Sequence, residues 1–168
     1  FLWHGEHGDS GIFDMQKILD EQGAEVAGSI SQSGKYGPVG AMHWFAEPLY
    51  GYYYANDEWV HRKHAELLTQ ANVDFLYFDV TNGYYYLNNA LSVMKACHEL
   101  NEQGFDAPQV VFYTHSGAEN VVRGLYNDIY SKGLYEDTWF RIDGKPVIIA
   151  PYEANINDFF TIKREQWP

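Results

Sequence analysis

Three short apolar runs at equal intervals limit what this chain can fold into more than any other feature. Val73-Asp74-Phe75-Leu76-Tyr77-Phe78, Gln109-Val110-Val111-Phe112-Tyr113 and Lys145-Pro146-Val147-Ile148-Ile149-Ala150 are each bounded by turn or polar residues. Each is too short for a helix and reads as a buried parallel strand. The interval between their first residues holds a strand plus a crossover helix. Helical patterns fill those intervals. From Asp57, an expected N-cap, Val60, His64, Leu67, Leu68 and Ala71 fall on one face. From Leu87 the stripe is Leu87, Ala90, Leu91, Met94 and Cys97, with Gly104 placed to end the helix. A third helix, over residues 117–131, turns Val121, Val122, Leu125 and Ile129 inward and is followed by Gly133. The alternation predicts an α/β fold built on a parallel sheet.

A complete eightfold barrel takes about 250 residues, and this chain has 168. The expected architecture is therefore the first half of a (β/α)8 TIM barrel spanning residues 1–168, with a doubly wound open sheet as the complete-domain alternative. The start on Phe1-Leu2-Trp3 without a Met, and the end on Trp167-Pro168, are expected of a chain truncated at both ends. Phe1-Leu2-Trp3 reads as the tail of a preceding strand, and Phe159-Phe160-Thr161-Ile162 as the next strand or the close of a short helix from Asn155. Residues 8–48 form an expected loop insertion rich in Gly, Ser and aromatics, with a short helix near residues 13–21. Loops of this length in compact domains are usually functional or disordered.

The 23 acidic and 11 basic residues leave a net charge of −12, which repels a phosphate backbone and argues against nucleic acid as a partner. No run of about 18 apolar residues exists, so no membrane span is expected. The single cysteine, Cys97, has no partner for an internal disulfide and reads as a small buried hydrophobe on its helix. Aromatic residues make up 17% of the chain, and many lie in turn-like stretches. Such amphipathic rings suit the apolar C–H faces and polar edges of sugars, and equally suit core packing.

Parallel α/β folds place their chemistry at the carboxyl ends of strands. The residues following each run are His4, Glu6 and His7, then Asp79, Thr81 and Asn82, then Thr114, His115 and Ser116, then Tyr152 and Glu153, with Tyr113 closing its strand. Asp79 is the sharpest candidate: it ends an apolar strand, where a carboxylate faces a partly shielded pocket or caps the turn. His4, Glu6 and His7, joined by His115, offer zinc-type ligands, although the spacing matches no defined site and no metal or other cofactor is expected. His43, Trp44, Glu47 and Tyr52 lie in a ring-rich segment that reads as a sugar-stacking wall or a hydrophobic lid. Phosphate-loop, nucleophile-elbow and C-x-x-C motifs are missing, so nucleotide and acyl-transfer chemistry lack support.

The order from His43-Trp44 through Gly51-Tyr52-Tyr53, Asp57 and His64 to Val73-Asp74-Phe75 and a strand ending at Asp79, with Trp139-Phe140-Arg141-Ile142-Asp143-Gly144-Lys145-Pro146 later, resembles the N-terminal half of the barrel in glycoside hydrolase family 99 and its bacterial relatives. The resemblance covers most of the chain from about residue 40 onward. It implies endo-acting hydrolysis of mannose-type glycosidic bonds, a carbohydrate partner, and a periplasmic or extracellular setting. It also places His43, Trp44, Tyr52 and Asp79 on the substrate-facing side. The family's catalytic carboxylates belong to the later part of the barrel, so none transfers here and the fragment alone is expected to be inactive. Asp79 is followed by Val80-Thr81-Asn82 where better-known members carry a Trp-rich sequence, which leaves the sugar open. Within this chain Asp79 and Glu6 are the candidate auxiliary catalytic groups, and His4, His43, Trp44, Glu47, Tyr52, Asp79, Thr81, Asn82, Tyr113 and His115 the candidate substrate-binding residues. The rival readings are a non-catalytic carbohydrate-binding protein and a metal-dependent hydrolase using His4, His7 and His115. Oligomeric state has no signature in the sequence.

Overall fold

Each of the three apolar runs forms a strand in the computed structural model, which describes residues 14–23 and 47–164. Two compact units meet in the chain between Asp57 and Glu58. In the first, helix α1 (Met15–Gln22) starts where the Asp14 carboxylate accepts the Lys17 amide at 3.0 Å, which satisfies one of the amides a helix start leaves open. Later in this unit, the Gly51 amide donates to the Pro48 carbonyl at 3.0 Å and closes a turn. The expected strand tail at Phe1-Leu2-Trp3 and most of the 8–48 insertion lie outside the described residues.

The second unit runs α2 (Glu58–Gln70), β1 (Phe75–Val80), α3 (Leu87–Glu102), β2 (Gln109–Thr114), α4 (Ala118–Asp128), β3 (Arg141–Ile142), β4 (Lys145–Ile149) and β5 (Thr161–Lys163). Strands β1, β2, β4 and β5 lie side by side in chain order and all parallel. Phe78, Phe112, Ile148 and Ile162 fall in one register row across them. The five-stranded sheet is mixed, because β3 runs antiparallel to β4, and it is open. Among the described residues the sheet does not close into a barrel. The β3–β4 connection is Asp143-Gly144, with φ of 52° and 81°, the positive values that a two-residue hairpin turn demands and that Gly adopts without cost.

One face of the sheet carries the core. Val80, Val110, Phe112 and Ile148 pack with Ala90 and Met94 of α3 and with Val121, Val122 and Leu125 of α4. Leu76 and Phe78 pack on a second cluster formed by Ala65, Val93, Ala96, Cys97 and Leu100. Many of the chain's rings belong here: Tyr130 is buried with the Trp139 and Phe160 rings each 4.8 Å away, and the Trp139 indole donates to the Leu134 carbonyl at 3.0 Å. Helix α3 ends as expected near Gly104, whose amide donates to Asn101 while that of Phe105 donates to Leu100.

Two expectations change. Helix α2 buries Val60, His61 and Ala65 and leaves Leu67 exposed, so its inward face is rotated from the 60/64/67/68/71 stripe. The reason is polar pairing with α3: His61 Nδ1 meets Ser92 Oγ at 2.8 Å, Arg62 reaches Gln103 at 2.7 Å and Lys95 reaches Glu58 at 2.9 Å. Strand β1 is buried on one face only, with Phe75, Tyr77 and Asp79 exposed. It is an edge strand of the described sheet, and alternating side chains of an edge strand with one covered face separate in this way.

Candidate functional site

The carboxyl ends of β1 and β2 bring a polar rim together. Asp79 and Tyr113 are register partners at the ends of these strands. The Asp79 carboxylate accepts two bonds through Oδ1, from the Thr81 hydroxyl at 2.7 Å and the Thr81 amide at 3.0 Å. Asp79 is exposed, and the partly shielded pocket expected around it is not what surrounds it. Its bonds to Thr81 make it the cap of the strand-to-loop turn, and its position leaves the carboxylate open to solvent.

The loop after β1 is held tightly. The Gly83 amide donates to the Val80 carbonyl at 3.1 Å and the Ser116 amide to the Thr81 carbonyl at 2.9 Å, which ties the β1 and β2 loops together. Gly83 has φ of 89°, and a Cβ there would sit 3.3 Å from the Ser116 carbonyl oxygen. The Asn82 side-chain amide donates to the Tyr86 hydroxyl at 2.7 Å, while its carbonyl accepts the Tyr84 amide at 3.3 Å. Tyr86 caps α3 in the left-handed conformation, with φ of 38°, a cost of about 1–2 kcal/mol for a side chain with a Cβ.

Rings line the same rim. Tyr77 and Tyr113 meet edge to face at 6.2 Å, and Tyr84 and Tyr86 lie at 6.2 Å with planes 33° apart. Tyr77 and Tyr84 are both more than half exposed. Phe75 continues the row toward the start of β1, with its ring 4.7 Å from that of Phe140. His115 is exposed directly after β2. Thr114 has a different part: it is buried, and its hydroxyl donates to the Ile149 carbonyl at 3.0 Å. After β4, Tyr152 is exposed beneath the Arg164 guanidinium, 5.7 Å from the ring centre, with exposed Glu153 beside it.

Glu47 and Tyr52 belong to the first unit, Glu47 exposed and Tyr52 half-buried. In that unit burial, aided by the Asp57 carboxylate, pushes the Tyr53 phenol above its ordinary value. His4, Glu6, His7, His43 and Trp44 lie outside the described residues. Among the described residues no three His, Cys, Asp or Glu side chains are grouped to hold a metal ion, and no helix is long and apolar enough to cross a membrane. Tyr77, Tyr84 and Tyr86 are rim residues beyond the sequence-derived set. The sequence cue for Tyr84 and Tyr86 was the Tyr84-Tyr85-Tyr86 run that follows the turn after β1; Tyr77, in an apolar run without alternation, had none.

No protein-family model matches the chain, and neither a curated protein nor a solved structure matches it significantly.

Proposed function

We propose that the chain carries the carbohydrate-facing rim of a glycoside hydrolase-like protein. The observation that carries this reading is the pairing of tyrosine rings, exposed Tyr77 beside half-buried Tyr113 and exposed Tyr84 beside half-buried Tyr86, with an accessible carboxylate at the carboxyl edge of parallel strands. Stiff amphipathic rings next to hydroxyl-binding groups suit a sugar. Four parallel strands in chain order, with α3 and α4 on one face, also suit an arc of a (β/α) barrel, because a doubly wound sheet reverses its strand order. In this reading the substrate is a glycan or polysaccharide, Asp79 and Asn82 position hydroxyls, and the bond-breaking carboxylate pair comes from elsewhere in a complete barrel.

Non-catalytic sugar binding is the second reading, favoured by the bonds that make Asp79 a turn cap. Titration of the chain with neutral oligosaccharides, α-mannosides included, tests both. Tyr77→Ala and Tyr84→Ala are expected to weaken binding on the order of tenfold, with the melting temperature unchanged because both rings are exposed. Absence of saturable sugar binding by the wild type refutes the proposal. Release of reducing ends by the longest natural form separates hydrolysis from binding alone.

A further inference from the structure

We infer that Tyr85, seated in a socket formed by Gly124 and Asp128 of α4, is the positioning residue that holds the rim loop in its binding conformation. Tyr84 and Tyr86 are the rim rings, and Tyr85 between them points the other way. Its hydroxyl donates to Asp128 Oδ2 at 2.7 Å, across 43 residues of chain. Its ring lies so close to α4 that a Cβ at Gly124 would meet the Tyr85 hydroxyl oxygen at 2.7 Å and two ring carbons at 2.8 and 2.9 Å. Real side chains do not approach this closely, so only glycine at position 124 admits the ring as it stands.

The loop has reason to need an anchor. Tyr86 is held at a φ of 38°, and such a conformation persists only where its surroundings over-determine it. Asn82 fixes Tyr86 from within the loop, and Ser116 fixes Thr81 from the neighbouring loop. Tyr85 ties this loop to the helix layer. It acts through Tyr84 and Tyr86 rather than by touching the ligand. The Asp128 carboxylate also pairs with Lys132 at 3.6 Å, which keeps a charged acceptor facing the phenol.

The consequence for sugar affinity rests on the proposed function, whereas the consequence for loop order does not, so the test reads both. Amide hydrogen exchange is measured on the 168-residue chain and on Tyr85→Ala and Tyr85→Phe, with melting temperatures alongside. Tyr85→Ala is expected to raise exchange at the Gly83 and Ser116 amides about tenfold or more, with the β2–β4 ladder unchanged. Tyr85→Phe, which keeps the ring in its socket but loses the bond to Asp128, is expected to restore only part of the protection. A parallel titration with a neutral α-linked oligosaccharide is expected to weaken in the same order. Unchanged exchange in residues 81–86 of Tyr85→Ala, or a uniform rise across the sheet that tracks the melting temperature, overturns the assignment. Loosening of the loop in a protein whose wild type binds no sugar leaves the anchor standing and removes the proposed function.

Discussion

Replacing Gly124 with alanine should destabilise the protein although helix propensity says the opposite. Gly124 is internal to α4, and Gly→Ala at an exposed helix interior stabilises by about 1 kcal/mol. Here the added methyl would lie 2.7–2.9 Å from the end of the Tyr85 ring. Two responses are open. The ring stays and the site is overpacked, at about 1–3 kcal/mol, or the ring swings out and forfeits its bond to Asp128. A hydrogen bond to a charged acceptor is worth roughly 1.5–3 kcal/mol, taken at the lower end because both partners are only half-buried. Either route costs about 2 kcal/mol against a gain of about 1, for a net loss on the order of 1 kcal/mol. In a Tyr85→Ala background the obstruction is gone, and Gly124→Ala should stabilise by about 1 kcal/mol. The sign reversal implies a coupling of about 2 kcal/mol, readable by urea unfolding of the four proteins at constant m. Stabilisation by Gly124→Ala in the wild-type background, or coupling below about 0.5 kcal/mol, refutes the socket geometry.

Other outcomes follow from the same structure. Phe112→Ala removes a fully buried ring at the centre of the sheet and should cost about 3–5 kcal/mol in chemical denaturation. Cys97 is fully buried and its thiol is pushed up to about 12, first by burial and then by the Asp137 carboxylate; a thiol reagent at neutral pH should label it only at the rate of opening, and fast labelling of the native protein would contradict its burial. The Tyr85 phenol is raised above 10.0, chiefly by its bond to Asp128. The folded state therefore holds this proton longer than the unfolded one, so stability is full below pH 10 and falls as pH rises toward the folded value. Tyr85→Phe should flatten that part of the stability curve. Lys145→Ala breaks an exposed ion pair with Asp158 and should change stability by less than about 1 kcal/mol.

The parallel strands were legible because their apolar runs are short, bounded and evenly spaced; β2 and β4 match their segments to within a residue, and β1 overlaps its own, displaced two residues toward the carboxyl end. The β3 strand was not anticipated, although Asp143-Gly144 between two extended stretches is a strong local hairpin signal. In the sequence those residues enter only within the 139–146 segment that carries the family resemblance. Apolar spacing alone mis-orients α2. His61 and Ala65 face inward, and what turns them there is polar pairing to α3, a partner distant in sequence. At the rim, Asp79, Thr81 and Asn82 were legible from their place after a strand. Tyr77 was not, because which face of β1 is covered depends on helices whose sides no local pattern fixes.

What the sequence determined by itself was local and periodic: strands where apolar runs fit a pleat, helices where the period nears 3.6, an acidic surface, and polar groups clustered after strand ends. Tertiary structure decided everything that depends on which neighbour is present. It divided the rings between the core around Tyr130 and the exposed row at Tyr77 and Tyr84, left Asp79 open to water, and set Tyr85 against Gly124. A ring's preference for burial is nearly the same at each of these positions. Only the packing of sheet against helices, with each backbone amide seeking a partner, selects which rings are covered and which remain available to a ligand.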